Sequence, residues 1–189
     1  MTYTGDSDQD GCDRPSVAKQ IERHLSTTAT LYDQITATLA ASGVPYRIHE
    51  HAPSVTVQDA DTHLQFPVEQ LLKTIAFRVK NRGWVLAALC GYAQVDYKRL
   101  AAAVGVSRDK LARLEAGEVE AELGYVLGGV APFAPNAQTE VLIDSGALGW
   151  PVIYCGTGRT DRTLEIAPRL LVQVSGARVA GLAKYYCES

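Results

Sequence analysis

A chain of 189 residues, 47% apolar and 21% charged, is long enough to bury a core of its own and ordinary enough in composition to be globular. Its four cysteines (Cys12, Cys90, Cys155, Cys187) form no CxxC pair, and no apolar run reaches the roughly 18 residues of a membrane helix, which argues against a disulfide scaffold, a zinc ribbon and a membrane partner. The net charge of -3 counts against a polyanion until its distribution is read, and the expected compartment is the cytoplasm.

Residues 1–15 are polar, acidic and poor in aliphatics, which predicts a disordered leader rather than a signal peptide. Residues 16–189 read as one domain. Leu31, Ile35 and Leu39 recur at helical spacing within 16–41, and Ser42-Gly43 marks the stop. Tyr46 to His49 predicts a short strand, and 51–65 is polar and irregular, with Val55 and Val57 its only alternation. Val68 to Leu72 fits a helical turn. Ile75–Val79 and Trp84–Leu89 flank Lys80-Asn81-Arg82-Gly83, a hairpin signal. Helices are expected over Tyr97–Val104, from Ser107 towards Leu114, and over Glu118–Leu123. A glycine- and proline-rich loop follows, then strands at Val141–Ile143, Val152–Tyr154 and Leu164–Ile166, a helix from Pro168 and a strand near Val179. Strands and helices intermix without regular alternation, so the class is α+β.

Residues 71–113 hold nine of the 18 basic residues against Asp96 and Asp109 alone, and Glu115, Glu118, Glu120 and Glu122 follow. The stretch predicts either a basic face for a polyanion or charges mixed in space.

Five constellations could carry chemistry. Lys73 enters the first long strand between apolar neighbours, where an ammonium needs an anionic or carbonyl partner unless it snorkels to water. Gly128-Gly129 permits positive φ and N–H groups converging on an anion or oxyanion, or is an ordinary tight turn. Gly156-Thr157-Gly158-Arg159 is half of a phosphate loop without the third glycine or the following helix of a dinucleotide site. His49, His51 and His63 lack a recognisable metal-ligand spacing, so no metal is expected. Cys155 is a candidate nucleophile without a nameable base, and equally a small buried hydrophobe.

The ordered set Leu72-Lys73-Thr74-Ile75, Gly124 to Phe133 with Gly128-Gly129-Val130-Ala131-Pro132, Val141 to Ser145, Ile153 to Arg159, and Leu164 to Pro168 resembles the YbaK/prolyl-tRNA-synthetase-associated domain family of trans-acting aminoacyl-tRNA deacylases. The resemblance spans roughly residues 30–183. It implies a compact α+β domain whose mixed, barrel-like sheet is surrounded by helices. It also implies hydrolysis of a wrongly attached amino acid, such as cysteine or alanine, from tRNA for proline, with no cofactor. The partner would be the acceptor end of a mischarged tRNA, with an aminoacyl-tRNA synthetase as a further partner and no DNA. The alternative is a non-catalytic tRNA- or synthetase-binding module of the same fold. The family's key lysine falls on Lys73 and its functional glycine on Gly128, with Gly129 beside it as a second backbone donor. Leu127, Val130 and Phe133 would line the amino-acid pocket, and Gly156, Thr157, Gly158 and Arg159 the wall facing ribose or phosphate. The cysteine-specific branch carries serine where this chain has Gly156 and aspartate where it has Thr163, and Ala134 stands where a glycine is usual.

Overall fold

The computed structural model describes residues 29–53 and 66–184. The expected leader, residues 16–28 of the first helical stretch, Val55, Val57, His63, Cys12 and Cys187 lie outside them. Thr30 starts helix α1 (Leu31–Ser42) through a capping box with Asp33, and Gly43 ends it. Strand β1 (Tyr46–Glu50) follows, then a single 3-10 turn at Val68–Gln70. Strand β2 begins at Leu71 rather than Ile75 and runs to Val79. It forms the expected hairpin with β3 (Gly83–Cys90), and Asn81 takes φ 62 in the turn.

After α2 (Tyr97–Val104) the chain departs from its local reading. The helix expected from Ser107 is a 3-10 turn at Arg108–Lys110, followed by strand β4 (Leu111–Arg113). Pairing with β2, Phe77 opposite Arg113 and Val79 opposite Leu111, overrides helix propensity here. Helix α3 (Ala116–Leu123) starts two residues before its expected position. Then come β5 (Thr139–Asp144), β6 (Ile153–Gly156), β7 (Arg162–Ile166), α4 (Pro168–Ser175) and β8 (Arg178–Ala180).

Among the described residues the eight strands form one mixed sheet in the order β1-β7-β6-β2-β3-β5-β8, with β4 added to β2. The α+β class holds. Strand β3 shows why the sheet is central: Leu86 and Ala88 enter a core with Ile35 and Leu39 of α1 and Leu171 of α4, while Val85, Ala87 and Leu89 enter a second core with Leu100 and Val104 of α2. A strand buried on both faces reads as continuous apolar sequence, as this one does.

Strand β2 is the organising element for function. One edge pairs with β3 from Leu72 to Val79. The other is shared between β6, in parallel at Leu71 and Leu72, and β4 at Phe77 to Val79. Lys73 stands where those two partners part.

Candidate active site

Side chains alternate along β2, so Lys73, Ile75 and Phe77 share a face. These three line an open pocket of about 460 Å³ together with Ala93, Gln94, Val95, Tyr97, Arg113 and Lys184. Three cations converge there, and among the described residues no carboxylate lines it. Arg113 arrives because β4 pairs with β2. Lys184 arrives because buried Asp144 accepts the backbone N–H groups of Leu182 (2.6 Å) and Ala183 (3.0 Å), and Lys184 N–H donates to Gln94 O at 2.9 Å. Tyr97 meets Phe77 edge to face at 5.4 Å and carries the Arg108 guanidinium 4.2 Å from its ring centre, giving the pocket a rigid aromatic wall. Partial burial and the nearby Arg113 hold the Lys73 ammonium below the ordinary lysine range. An anion in the pocket would relieve both costs. Tyr97, Arg113 and Lys184 were missed as site residues, because no local spacing links them to Lys73.

The two glycine loops interlock. Gly129 N–H donates to Val126 O at 3.0 Å with Gly128 at φ 82, the third residue of a type II turn, which needs a positive φ. Gly158 N–H donates to Gly129 O at 2.8 Å. A Cβ on Gly129 would lie 3.1 Å from the Arg159 backbone, and one on Gly156 only 2.6 Å from Val130 O. The two loops therefore touch backbone to backbone. The expectation of a pair of oxyanion donors is corrected by this turn: the Gly129 N–H is consumed inside it, whereas the exposed Gly128 N–H has no partner among the described residues.

The wall residues behave unequally. Thr157 is fully buried, and its hydroxyl donates to Arg162 O at 3.1 Å, so it braces the loop. Arg159 forms a two-pronged pair with Asp161, both contacts 2.8 Å, which holds the Asp161 carboxyl down at about 2. It is a neutralised cation, not a free counter-charge. The expected amino-acid pocket of Leu127, Val130 and Phe133 does not assemble. Leu127 is 56% exposed at the turn's tip, Val130 is half-buried, and Phe133 is buried in the core with its carbonyl taking the Tyr125 hydroxyl at 2.8 Å. A tight turn splays successive side chains apart, so proximity in sequence did not make them neighbours.

Cys155 is buried in the core, and burial pushes its thiol well above the usual range, which suits a packing residue. His49 pairs with Glu165 at 2.5 Å beside the stacked rings of Phe66 and Tyr154, whereas His51 Nε2 meets Thr163 Oγ1 at 2.9 Å. Among the described residues no group of three His, Cys, Asp or Glu side chains is placed to hold a metal ion. Part of the basic stretch is paired: Arg78 bridges Glu118 and Glu122, Arg99 contacts Asp96 and Lys110 lies 4.0 Å from Asp109, while Arg82 donates to the Val104 carbonyl at 2.6 Å. Its charges are mixed in space outside the Lys73 pocket.

The family model for aminoacyl-tRNA editing domains matches residues 51–174. A protein of Enterococcus faecalis named as a Cys-tRNA(Pro)/Cys-tRNA(Cys) deacylase, EbsC, is 26% identical over 140 residues, covering 72% of this chain and 84% of its own. Bacillus subtilis YwhH is 25% identical over 126 residues, 67% of this chain and 78% of its own. The crystal structure of the hypothetical protein APE2540 superposes with a TM-score of 0.73 at 26% identity, covering 80% of this chain and 99% of that one. A structure described as a trans-editing enzyme for prolyl tRNA synthetase, 24% identical over 82% of this chain and 98% of its own, shares the fold with a TM-score of 0.69. Among the described residues no helix is long and apolar enough to cross a membrane.

Proposed function

Because the chain belongs to the aminoacyl-tRNA editing domain family, we propose that it hydrolyses the ester joining a wrongly attached amino acid to the 3′ end of a tRNA. The observation that carries this reading is the Lys73–Arg113–Lys184 pocket: three cations, an aromatic wall and no acid suit a single-stranded polyanion with bases to stack. The tRNA terminus would enter with its phosphates on Arg113 and Lys184. Lys73, the cation nearest the glycine loop along the sheet, would stabilise negative charge developing on the reacting ester. A water attacks the carbonyl carbon, the oxyanion of the tetrahedral intermediate takes the Gly128 N–H, and collapse releases the amino acid and the ribose hydroxyl. No side-chain nucleophile is required.

The substrate class that fits best is a small amino acid, cysteine or alanine, on tRNA for proline. Val130 O pressed onto Gly156 narrows that wall, and a narrow wall rejects larger side chains by overlap. The name of the Enterococcus relative points the same way. The test is a panel of tRNAs mischarged with cysteine, alanine, serine and proline, incubated with the purified chain. Selective release of cysteine or alanine from tRNA(Pro) is expected. Tight tRNA binding with no release from any ester would favour the binding module instead.

A further inference from the structure

The proposed mechanism leaves the attacking water without a proton acceptor, and a second cluster on the same sheet face supplies one. Gly156 pairs directly with Thr163 across β6 and β7. On the other side of β6, Lys73 and Gly156 each follow the Leu72–Cys155 pair by one residue. Lys73, Gly156 and Thr163 therefore stand on three adjacent strands, about 4.8 Å apart from strand to strand, with side chains on one face. The middle position has no side chain, and the glycine turn lies over it, Val130 O 2.6 Å from where a Cβ would be. Lys73 and Thr163 thus flank the turn that carries Gly128.

Thr163 is 8% exposed and its hydroxyl is not free. His51 Nε2 lies 2.9 Å from Thr163 Oγ1, and His51 Nδ1 lies 2.7 Å from Ala52 O. A carbonyl oxygen only accepts, so Nδ1 carries the proton. The neutral ring must then accept at Nε2, and the Thr163 hydroxyl donates to it. A hydroxyl hydrogen-bonded to an imidazole that is itself oriented by a third group has the connectivity of an activated hydroxyl–base pair. The Thr163 proton points at His51, and its lone pairs remain to receive another.

We infer that His51 and Thr163 form the proton relay for the attacking water, an inference that rests on the deacylase reading above. As the water oxygen bonds to the ester carbonyl carbon, its proton passes to Thr163 Oγ1 while Thr163 gives its own proton to His51 Nε2. The carbon–oxygen bond to the ribose then breaks, and the imidazolium returns its proton along the same path to the leaving ribose oxygen. Thr163 touches the water; His51 is a positioning residue that acts through it. Register and alternation put Arg47, His49, Thr163 and Glu165 on the ring's face of β1 and β7, with Lys73 on that face two strands away, whereas Glu50 and Arg162, paired at 3.1 Å, project to the other face; Asp161 precedes β7, and its backbone oxygen accepts the His51 N–H at 3.1 Å. The neighbouring His49 is occupied by Glu165.

The test measures single-turnover hydrolysis from pH 5 to 9 with the parent, His51→Gln, Thr163→Val, Thr163→Ser and the double variant His51→Gln/Thr163→Val. The parent rate should fall on the acidic side, where a protonated His51 can no longer accept the relayed proton, and level off above it. His51→Gln should be roughly 10²-fold slower with that acidic limb gone. Thr163→Ser, which restores a hydroxyl, should recover the acidic limb and most of the rate that Thr163→Val loses. Thr163→Val should match His51→Gln, and the double variant should lose no more than either, as residues acting as one unit do. A folded His51→Gln protein with the parental pH profile overturns the relay while leaving the deacylase reading intact. An inactive parent overturns that reading, and the relay with it. Nitrogen NMR of the parent imidazole adds a readout independent of activity: a proton on Nδ1 is expected, and one on Nε2 would contradict the relay.

Discussion

Lys73 carries an electrostatic cost that only a ligand would recover. Its pKa is lowered in the folded chain, so the folded state holds that proton less tightly than the unfolded state does. The penalty is therefore fully present at neutral pH and fades only as pH rises through the lowered value towards the ordinary 10.5. Lys73→Met keeps the aliphatic length and removes the charge, so thermal unfolding at pH 7 should shift up by roughly 2 °C, within about 1 kcal/mol for a half-buried group, while hydrolysis is lost. A lower melting temperature would show that the ammonium is satisfied inside the protein. Gly156 makes the opposite kind of demand. Gly156→Ala places a Cβ against a backbone carbonyl that cannot rotate away, and calorimetry should find a loss of about 1–3 kcal/mol. An unchanged melting temperature would mean that the two loops can separate freely. Lys73 stands out in the sequence as a charge between apolar neighbours, a pattern that a snorkelling lysine shares, and the family resemblance is what singles it out. Arg113 and Lys184 do not stand out, since only the pairing of β4 and the carboxylate of Asp144 bring them to it.

At the level of elements, Asp144 ties the end of β5 to the segment bearing Lys184. Its two oxygens accept from Gly146, Leu182 and Ala183, and the last two contacts are buried. Asp144→Ala leaves those donors without an acceptor, which should cost about 2–5 kcal/mol in chemical unfolding and weaken tRNA binding by releasing Lys184. Lost stability with unchanged tRNA affinity would remove Lys184 from the site. A second tie holds the β2–β3 hairpin to α3: Arg78 bridges Glu118 and Glu122, and Trp84 donates to Glu122 at 2.6 Å. The Arg78 and Trp84 bonds hold the Glu122 carboxyl below its usual range, and the Glu115 backbone N–H, with Arg78, does the same for Glu118, so their contribution is present at neutral pH and lost as pH falls through the acid range. The segment from Ser107 to Leu114 shows where local reading stops working. Ser107 precedes a charged run that looks like a helix start, yet Leu111 and Leu114 are buried and β2 offers an edge to pair with. Local propensity is weak against a strand edge, whereas α2 forms over the expected Tyr97–Val104, with Asp96 and Gly105 as its caps.

Across the whole molecule, the charge pattern that drew attention to residues 71–113 resolves in part into ion pairs, through Arg78, Arg99 and Lys110, while Lys73 and Arg113 meet Lys184 in one pocket. Binding of the single-stranded 3′ end should weaken with salt at a slope near -1.4 on logarithmic axes, about -0.7 for each of the two pocket cations placed on its phosphates, Arg113 and Lys184. Arg113→Glu and Lys184→Glu should each reduce that slope by roughly 0.7, while Arg78→Glu should lower the melting temperature and leave it unchanged. A slope equally sensitive to Arg78 would restore the broad basic face. The order of elements was readable along the chain because hairpin, caps and strand alternation are local signals. The cationic pocket and the His51–Thr163 contact depend on strand order, and the sequence does not print strand order. The most direct measurement of the account is single-turnover hydrolysis of cysteinyl- and alanyl-tRNA(Pro) by the parent, Lys73→Ala and Lys73→Arg, with circular dichroism as the folding control. Lys73→Ala should fold and lose about 10²–10³ in rate, and arginine, a planar fork in place of a compact charge, should not restore it. A folded Lys73→Ala protein hydrolysing at the parental rate would contradict the account.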